Sequence, residues 1–92
     1  AAYSASKGGV VALSRHLATT WAGDGVRVNT LVPGGVASGQ NDTFQKKYGD
    51  RVPMGRMAER EELVGAVLFL ASEASSYVTG ETLAVDGGLT AW

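Results

Sequence analysis

The chain has no cysteine, a single histidine and almost no net charge. Without cysteine it can hold neither a disulfide framework nor a thiolate metal site. His16 alone cannot build a histidine zinc site, so no metal is expected. A formal charge of −1 over 92 residues gives no reason to expect nucleic acid or an anionic membrane as partner. No apolar run reaches the ~18–20 residues that a membrane span requires, and no secretory signal is visible. The chain opens on Ala1 and not on methionine, inside a stretch that reads as a helix. A piece of a longer protein is therefore expected.

What is present is glycine, 13 residues of it, with 45% apolar residues. That composition fits an α/β protein. Residues 3–22 read as a helix. At 100° per residue, Tyr3, Lys7, Val10, Ser14, Leu17 and Trp21 share one side, flanked by Val11, Leu13 and Ala18. The opposite side, Ala5, Gly9, Ala12, His16 and Thr19, is mostly small. Gly8 and Gly9 each cost ~1 kcal/mol relative to alanine within a helix, which predicts another backbone packed close against them. Gly23-Asp24-Gly25 ends the helix. Val26 to Val32 is short and β-branched, and glycine and proline bound it, as in a buried parallel strand.

Pro33-Gly34-Gly35 stops the strand. The polar stretch 39–58 reads as a long loop, of the length often found in lids and binding loops, with a helical turn around Asp42 to Tyr48. Residues 59–72 form a second helix. Glu59, Glu61 and Glu62 crowd its start, where the helix dipole favours negative charge, and Leu63, Val64, Val67, Leu68 and Ala71 form its expected buried stripe. Thr82 to Val85 reads as a short strand, closed by Asp86-Gly87-Gly88. Helix, strand, loop, helix, strand is the alternation of a parallel α/β sheet. Two strands need neighbours, so the expected fold is the C-terminal part of a doubly wound, Rossmann-like parallel sheet. Residues 1–92 would belong to one domain whose cofactor-binding N-terminal half lies outside them.

The chemistry begins with Tyr3 and Lys7. Four residues apart on a helix, they stand on one face, one turn from each other. A positive charge beside a phenol favours the phenolate, so the two make a plausible proton-transfer pair. Ser4 and Ser6 have no Asp/His partners for a nucleophilic role and read as local structure. Asn29 reads as a residue that satisfies backbone groups, and His16 as a packed or interface residue. Lys46, Lys47, Arg51 and Arg56 either meet an anionic substrate or form a solvated loop in which Arg56 bonds backbone carbonyls.

Four segments in order resemble the compact short-chain dehydrogenase/reductases along essentially all 92 residues. Tyr3-Ser4-Ala5-Ser6-Lys7 is similar to the family's Tyr-x-x-x-Lys motif. Val28-Asn29-Thr30-Leu31-Val32-Pro33-Gly34 resembles its sixth strand and the Pro-Gly after it. Leu68-Phe69-Leu70-Ala71-Ser72 resembles the end of its next helix. Gly80 to Gly88 (Gly-Glu-Thr-Leu-Ala-Val-Asp-Gly-Gly) resembles its last strand and terminal turn.

The resemblance implies an NAD- or NADP-dependent oxidoreductase that interconverts a secondary alcohol and a ketone. Sugars, sugar acids and 3-oxoacyl thioesters are the substrates it suggests. Tyr3 would be the general acid/base and Lys7 its charged helper, both also touching the cofactor. A free tyrosine ionises only near pH ~10, hence the need for a helper. Pro33, Gly34, the backbone of Val36 and the Ser38 hydroxyl would line the nicotinamide. Ser38 stands where the family often has threonine. The family's glycine-rich phosphate loop, its cofactor-selecting residue and its upstream serine and asparagine are absent from these residues, so the 92 residues alone should not turn over. The resemblance also implies a cytoplasmic homo-oligomer, a dimer or homotetramer, acting on a small molecule, with neither nucleic acid nor membrane as partner. Its alternatives are a non-catalytic binding or assembly protein on the same fold, and a sugar-nucleotide epimerase relative. The latter fits poorly with Val85-Asp86-Gly87-Gly88 lying so near the end.

Overall fold

The computed structural model describes all residues from Ala1 to Trp92. In order, the elements are helix α1 (Ala2–Trp21), strand β1 (Thr30–Pro33), helix α2 (Asp42–Gly49), helix α3 (Arg60–Ala71) and strand β2 (Thr82–Val85), with three short 3₁₀ turns between and after them. The two strands pair in one sheet. Thr30 N–H donates to Glu81 O and Gly34 N–H to Val85 O. Both strands thus advance together, which makes the pairing parallel, as the alternation of elements requires. No helix is long and apolar enough to cross a membrane. The chain divides into two compact units, Ala1–Thr30 with Phe69–Leu83, and Leu31–Leu68 with Ala84–Trp92.

In the first unit, α1 begins with Ala5 N–H donating to Ala1 O and ends beyond a 3₁₀ turn at Gly25. Gly25 has φ +79°, the left-handed conformation expected of a glycine cap. The inward face of α1 is Val11, Ser14, Leu17 and Ala18, of which only Ala18 is fully buried. The buried side is therefore rotated from the expected one, leaving Tyr3, Val10 and Leu13 largely exposed. A Cβ built on Gly8 or Gly9 would meet nothing within 4 Å. The close backbone expected against these glycines is not supplied by this chain.

The strand expected from Val26 is observed only from Thr30. Residues 26–29 do not join a ladder because the facing segment, 78–81, is a turn around Gly80. Side chains take over much of the bonding. Arg27 donates to the carbonyls of Leu70, Ser72 and Val78, and Asn29 donates to Val78 O and accepts from Glu81 N–H. Val28 N–H donates to Thr79 Oγ1, and Gly80 N–H to Val28 O. Ser75, fully buried, donates its hydroxyl to Leu70 O and Ser72 O. This unit is thus held by polar groups that each answer a backbone atom.

In the second unit the core is Val52 and Met57, both nearly inaccessible. Glycine turns close over it: a Cβ on Gly87 would lie 2.7 Å from a Val52 methyl, and one on Gly88 2.9 Å from the Pro53 ring. The stretch 39–58 contains a full helix, α2, capped by Asn41 Oδ1 accepting from Phe44 N–H at 2.8 Å. The expected stripe of α3 is not buried. Leu63 is half-buried, but Val64 and Val67 are about half exposed and Leu68 is 62% exposed. A stripe is hidden only when a second layer covers it, and no element of this chain does so for these residues.

Asn29 supports the first unit through two backbone groups. Replacing Asn29 by Ala in the intact protein is expected to cost about 1–3 kcal/mol, since Val78 O and Glu81 N–H lose their partner. Urea unfolding measures it; no change in midpoint would show that water replaces the amide without penalty.

Candidate functional site

The sequence-marked residues fall into two groups, one in each unit. Tyr3 and Lys7 lie on the first two turns of α1. The helix spacing does bring them together, with Lys7 Nζ 5.4 Å from the centre of the Tyr3 ring. That is within the range of a favourable cation–ring contact. Neither the phenol oxygen nor the ammonium bonds to another group of the chain, and Tyr3 is 72% exposed. Both functional groups are available to a ligand. Ser6 donates to Tyr3 O one turn back, a local helix bond as expected. His16 is exposed rather than packed, and only its carbonyl is used, by Thr19 and Thr20.

In the second unit, Pro33 ends β1 and residues 34–38 leave the sheet. Gly34 is fixed by a neighbour: a Cβ there would stand 2.9 Å from both Cα and Cβ of Asp86. The turn at Asp86 is itself tied down. Asp86 Oδ1 accepts from Gly88 N–H, and Oδ2 accepts from the Thr90 N–H and from its hydroxyl at 2.6 Å. The Thr90 hydroxyl, then the backbone N–H groups, hold the Asp86 carboxyl below its usual range.

Beyond Gly34 the chain makes a one-residue parallel bridge, Val36 with Ala58. Ala58 N–H donates to Gly35 O and Ala37 N–H donates to Ala58 O, each at 2.9 Å. Gly35 N–H donates to Tyr48 Oη at 2.6 Å. Gln40 binds the far side, donating to Val36 O and accepting from Ser38 N–H. The Val36 N–H and the Ser38 hydroxyl find no partner in the chain. These are the two donors expected to meet a nicotinamide carboxamide or phosphate, and both are free.

Sequence reasoning missed Tyr48, Ala58, Gln40 and Asp86 as supports of this loop. One signal was present: Gly35, a second glycine after the proline, marks a place where something approaches closely. That something is the Tyr48 ring, whose Cζ would lie 2.5 Å from a Cβ on Gly35.

Arg56 is not open to an anionic substrate. Its two terminal nitrogens grip Glu62 at 2.7 and 2.9 Å, and one also donates to Met57 O. Glu62 in turn accepts from Glu59 N–H at the start of α3, the return half of a capping box. The Arg56 hydrogen bonds, then the Glu59 N–H, lower the Glu62 carboxyl from 4.5 to about 2. Lys46 and Lys47 are exposed in the last turn of α2.

Comparison with known proteins identifies the family. A family model described as enoyl-(acyl carrier protein) reductase matches residues 1–90. Galactitol 2-dehydrogenase (L-tagatose-forming) of Cereibacter sphaeroides is 52% identical over 96 residues, covering 98% of this chain and 38% of that protein. The crystal structure of a short-chain dehydrogenase from Leptospira borgpetersenii with bound NAD+ is 42% identical with a TM-score of 0.87, covering 96% of this chain and 35% of that one. This chain belongs to the short-chain dehydrogenase/reductase family. A gluconate 5-dehydrogenase from Burkholderia cenocepacia, in complex with NADP and tartrate, is also similar, with 40% identity, a TM-score of 0.88, and 98% and 39% coverage. The chain spans little more than a third of each of these relatives. The Rossmann-like α/β class expected from the order of elements is the class of these neighbours.

The Glu62 ion pair makes a pH-dependent prediction. Its folded carboxyl titrates near 2 against 4.5 when unpaired. Its stabilisation is therefore complete above about pH 4.5 and is lost as pH falls toward 2. Both partners are exposed, so added salt weakens the effect. Urea titrations of the intact protein between pH 6 and pH 3 should show a shallower acid loss for Glu62→Gln than for the wild type. Parallel curves would show that the pair contributes nothing.

Proposed function

We propose that the protein containing this chain is an NAD- or NADP-dependent oxidoreductase that interconverts a secondary alcohol and a ketone on a polyhydroxylated small molecule, a polyol, sugar or sugar acid. The observation that carries this reading is Tyr3 with Lys7 on one face of α1, both with free functional groups, in a member of this family. Residues 1–92 are read as the C-terminal part of a single Rossmann-like domain. The substrate class is that of the relatives, among them a galactitol dehydrogenase and a gluconate dehydrogenase. A 3-oxoacyl thioester is the less favoured alternative, kept in view by a similar solved structure described as a beta-ketoacyl-ACP reductase. A non-catalytic protein or an epimerase has no support among the named dehydrogenases.

When bound, the nicotinamide supplies the acceptor or donor of hydride. Tyr3 takes the proton of the substrate hydroxyl in oxidation and returns it to the carbonyl oxygen in reduction. Lys7, by its charge, stabilises the phenolate that accepts the proton in oxidation and is left once the proton has been given up in reduction. Its ammonium would also donate to the ribose hydroxyls, so that one helical turn orients both partners. The Val36 N–H and Ser38 hydroxyl would hold the carboxamide side, and Pro33 with Gly34 shape the loop that presents them. The donor set fits the group: the Val36 N–H and the Ser38 hydroxyl are both unpaired on this loop.

We further read the protein as a cytoplasmic homo-oligomer. The open faces at Gly8 and Gly9 and the half-exposed Val10 and Leu13 on α1 support a partner surface. Light scattering of the intact protein should report a dimer or tetramer; a stable monomer would contradict it.

The central test is Tyr3→Phe in the intact protein, assayed with galactitol- and gluconate-type substrates and both cofactors. Removing a general acid/base is expected to lower kcat by roughly 10²–10⁴-fold, with cofactor affinity and thermal midpoint essentially unchanged. Undiminished turnover would overturn the assignment of Tyr3.

A further inference from the structure

Gly34 and Gly35 are adjacent glycines in the loop that precedes the free Val36 N–H. Two glycines in succession leave the backbone four soft dihedrals with no Cβ to restrict them. Such a segment would not by itself hold an N–H in a fixed direction. Three kinds of contact hold it here. Gly34 N–H is anchored on Val85 O. The Gly35–Val36 peptide is set by Ala58, whose N–H donates to Gly35 O. A trans peptide is planar, with its N–H and C=O pointing in opposite directions. Binding Gly35 O to Ala58 therefore turns the Val36 N–H away from Ala58.

The peptide between them, Gly34–Gly35, is set by a side chain. Its N–H donates to Tyr48 Oη at 2.6 Å. The ring packs flat against Gly35, with Cζ, Cε1 and Cε2 at 2.5, 2.7 and 2.9 Å from the position a Cβ would occupy. Tyr48 is in the last turn of α2, 13 residues downstream. It is half-buried, and its own hydroxyl proton has no acceptor in the chain. Gly35 and Tyr48 line a cavity of about 90 Å³ together with Arg56, Glu62 and Asp86.

We propose that Tyr48 is a positioning residue for cofactor binding: by fixing the Gly34–Gly35 peptide it acts with Ala58 to set the direction in which the Val36 N–H is presented. The proposal rests on the reading of Val36 as a nicotinamide contact. Tyr48 touches no reacting atom. It acts by removing the freedom of a diglycine hinge before the ligand arrives, so that ordering is not charged against binding.

The test is Tyr48→Phe in the intact protein, a change that keeps the ring and deletes the oxygen. Fluorescence titration with NADH and NADPH should show cofactor affinity weakened about 3–10-fold, the loss of one hydrogen bond. At saturating cofactor, kcat should stay within about twofold of wild type. That split is the reverse of the one expected for Tyr3→Phe, and a merely structural loss would lower the unfolding midpoint without it. Gly35→Ala is the second variant: its Cβ displaces the ring, so it should weaken cofactor affinity in the same way. The double variant should then lose no more than Gly35→Ala alone. Unchanged cofactor affinity in a folded Tyr48→Phe protein overturns the proposal while leaving the nicotinamide reading intact. So does a fall in kcat with cofactor affinity unchanged, or a loss in Gly35→Ala alone. If wild-type protein binds neither cofactor, the nicotinamide reading falls, and this proposal with it.

Discussion

The second unit depends on one close approach, that of Gly34 to Asp86. The parallel ladder delivers these residues side by side, with Gly34 N–H bonded to Val85 O. No side chain fits at Gly34, because a Cβ would lie 2.9 Å from Asp86 Cα. The two backbones touch there and must then diverge. After Asp86 the chain turns through two glycines of positive φ and closes over Val52 and Pro53. After Gly34 it runs to Ala58 and Tyr48. The Asp86 carboxylate holds its turn through Gly88 and Thr90, so the wall against which Gly34 rests is rigid. A glycine that would be read as making room for a ligand is required first by the protein's own backbone. The space freed at Gly34 is filled by Asp86, so the ligand reading of the loop rests on the Val36 N–H and the Ser38 hydroxyl.

Much of the order of elements is legible in the sequence because it rests on local chemistry. The glycine cap at Gly25, the helix signals around Glu61 and Glu62, and the β-branched run into Pro33 each act over a few residues. The start of β1 is not legible. Val26 to Val32 has uniform strand character, but a strand needs a partner, and the facing residues turn at Gly80. Arg27 and Asn29 then supply bonds that a ladder would have supplied. Their polar side chains within a β-branched run carry that information, and Asn29 does serve backbone groups as its context suggests. The exposure of α3 is hidden from the sequence for a related reason. Periodicity identifies which face is apolar, not what covers it, and Val64, Val67 and Leu68 remain open.

The candidate site divides in the same way. Tyr3 and Lys7 are legible from spacing, since one helical turn is a local relation. Val36 and Ser38 enter only through the family resemblance; the Val36 N–H and the Ser38 hydroxyl have no partner in the chain. Tyr48, Ala58 and Gln40 are invisible in the sequence because each reaches the loop across a turn or helix. Arg56 shows the opposite case. A basic residue in a long polar stretch suggests an anion site, but Glu62 occupies it with two hydrogen bonds. Charge in a sequence identifies what a residue offers; only its neighbours decide whether the offer is still open.

The two free donors and the Tyr3–Lys7 pair also differ in how they are held. Tyr3 and Lys7 ride on a 20-residue helix, whose backbone bonds fix both Cα positions, yet their side chains are tethered to nothing beyond each other. The Val36 N–H has no side-chain freedom, but its direction is inherited from two glycine peptides. A helix therefore secures placement and leaves orientation to the ligand. A diglycine loop does the reverse and needs outside contacts to secure placement. This is why the supports concentrate on the loop: Ala58, Tyr48 and Gln40 all bond to residues 35–38, whereas only the helix's own bonds hold Tyr3. On the function proposed above, loss of a support would be felt in how tightly a cofactor binds, and loss of a group on α1 in the chemistry itself.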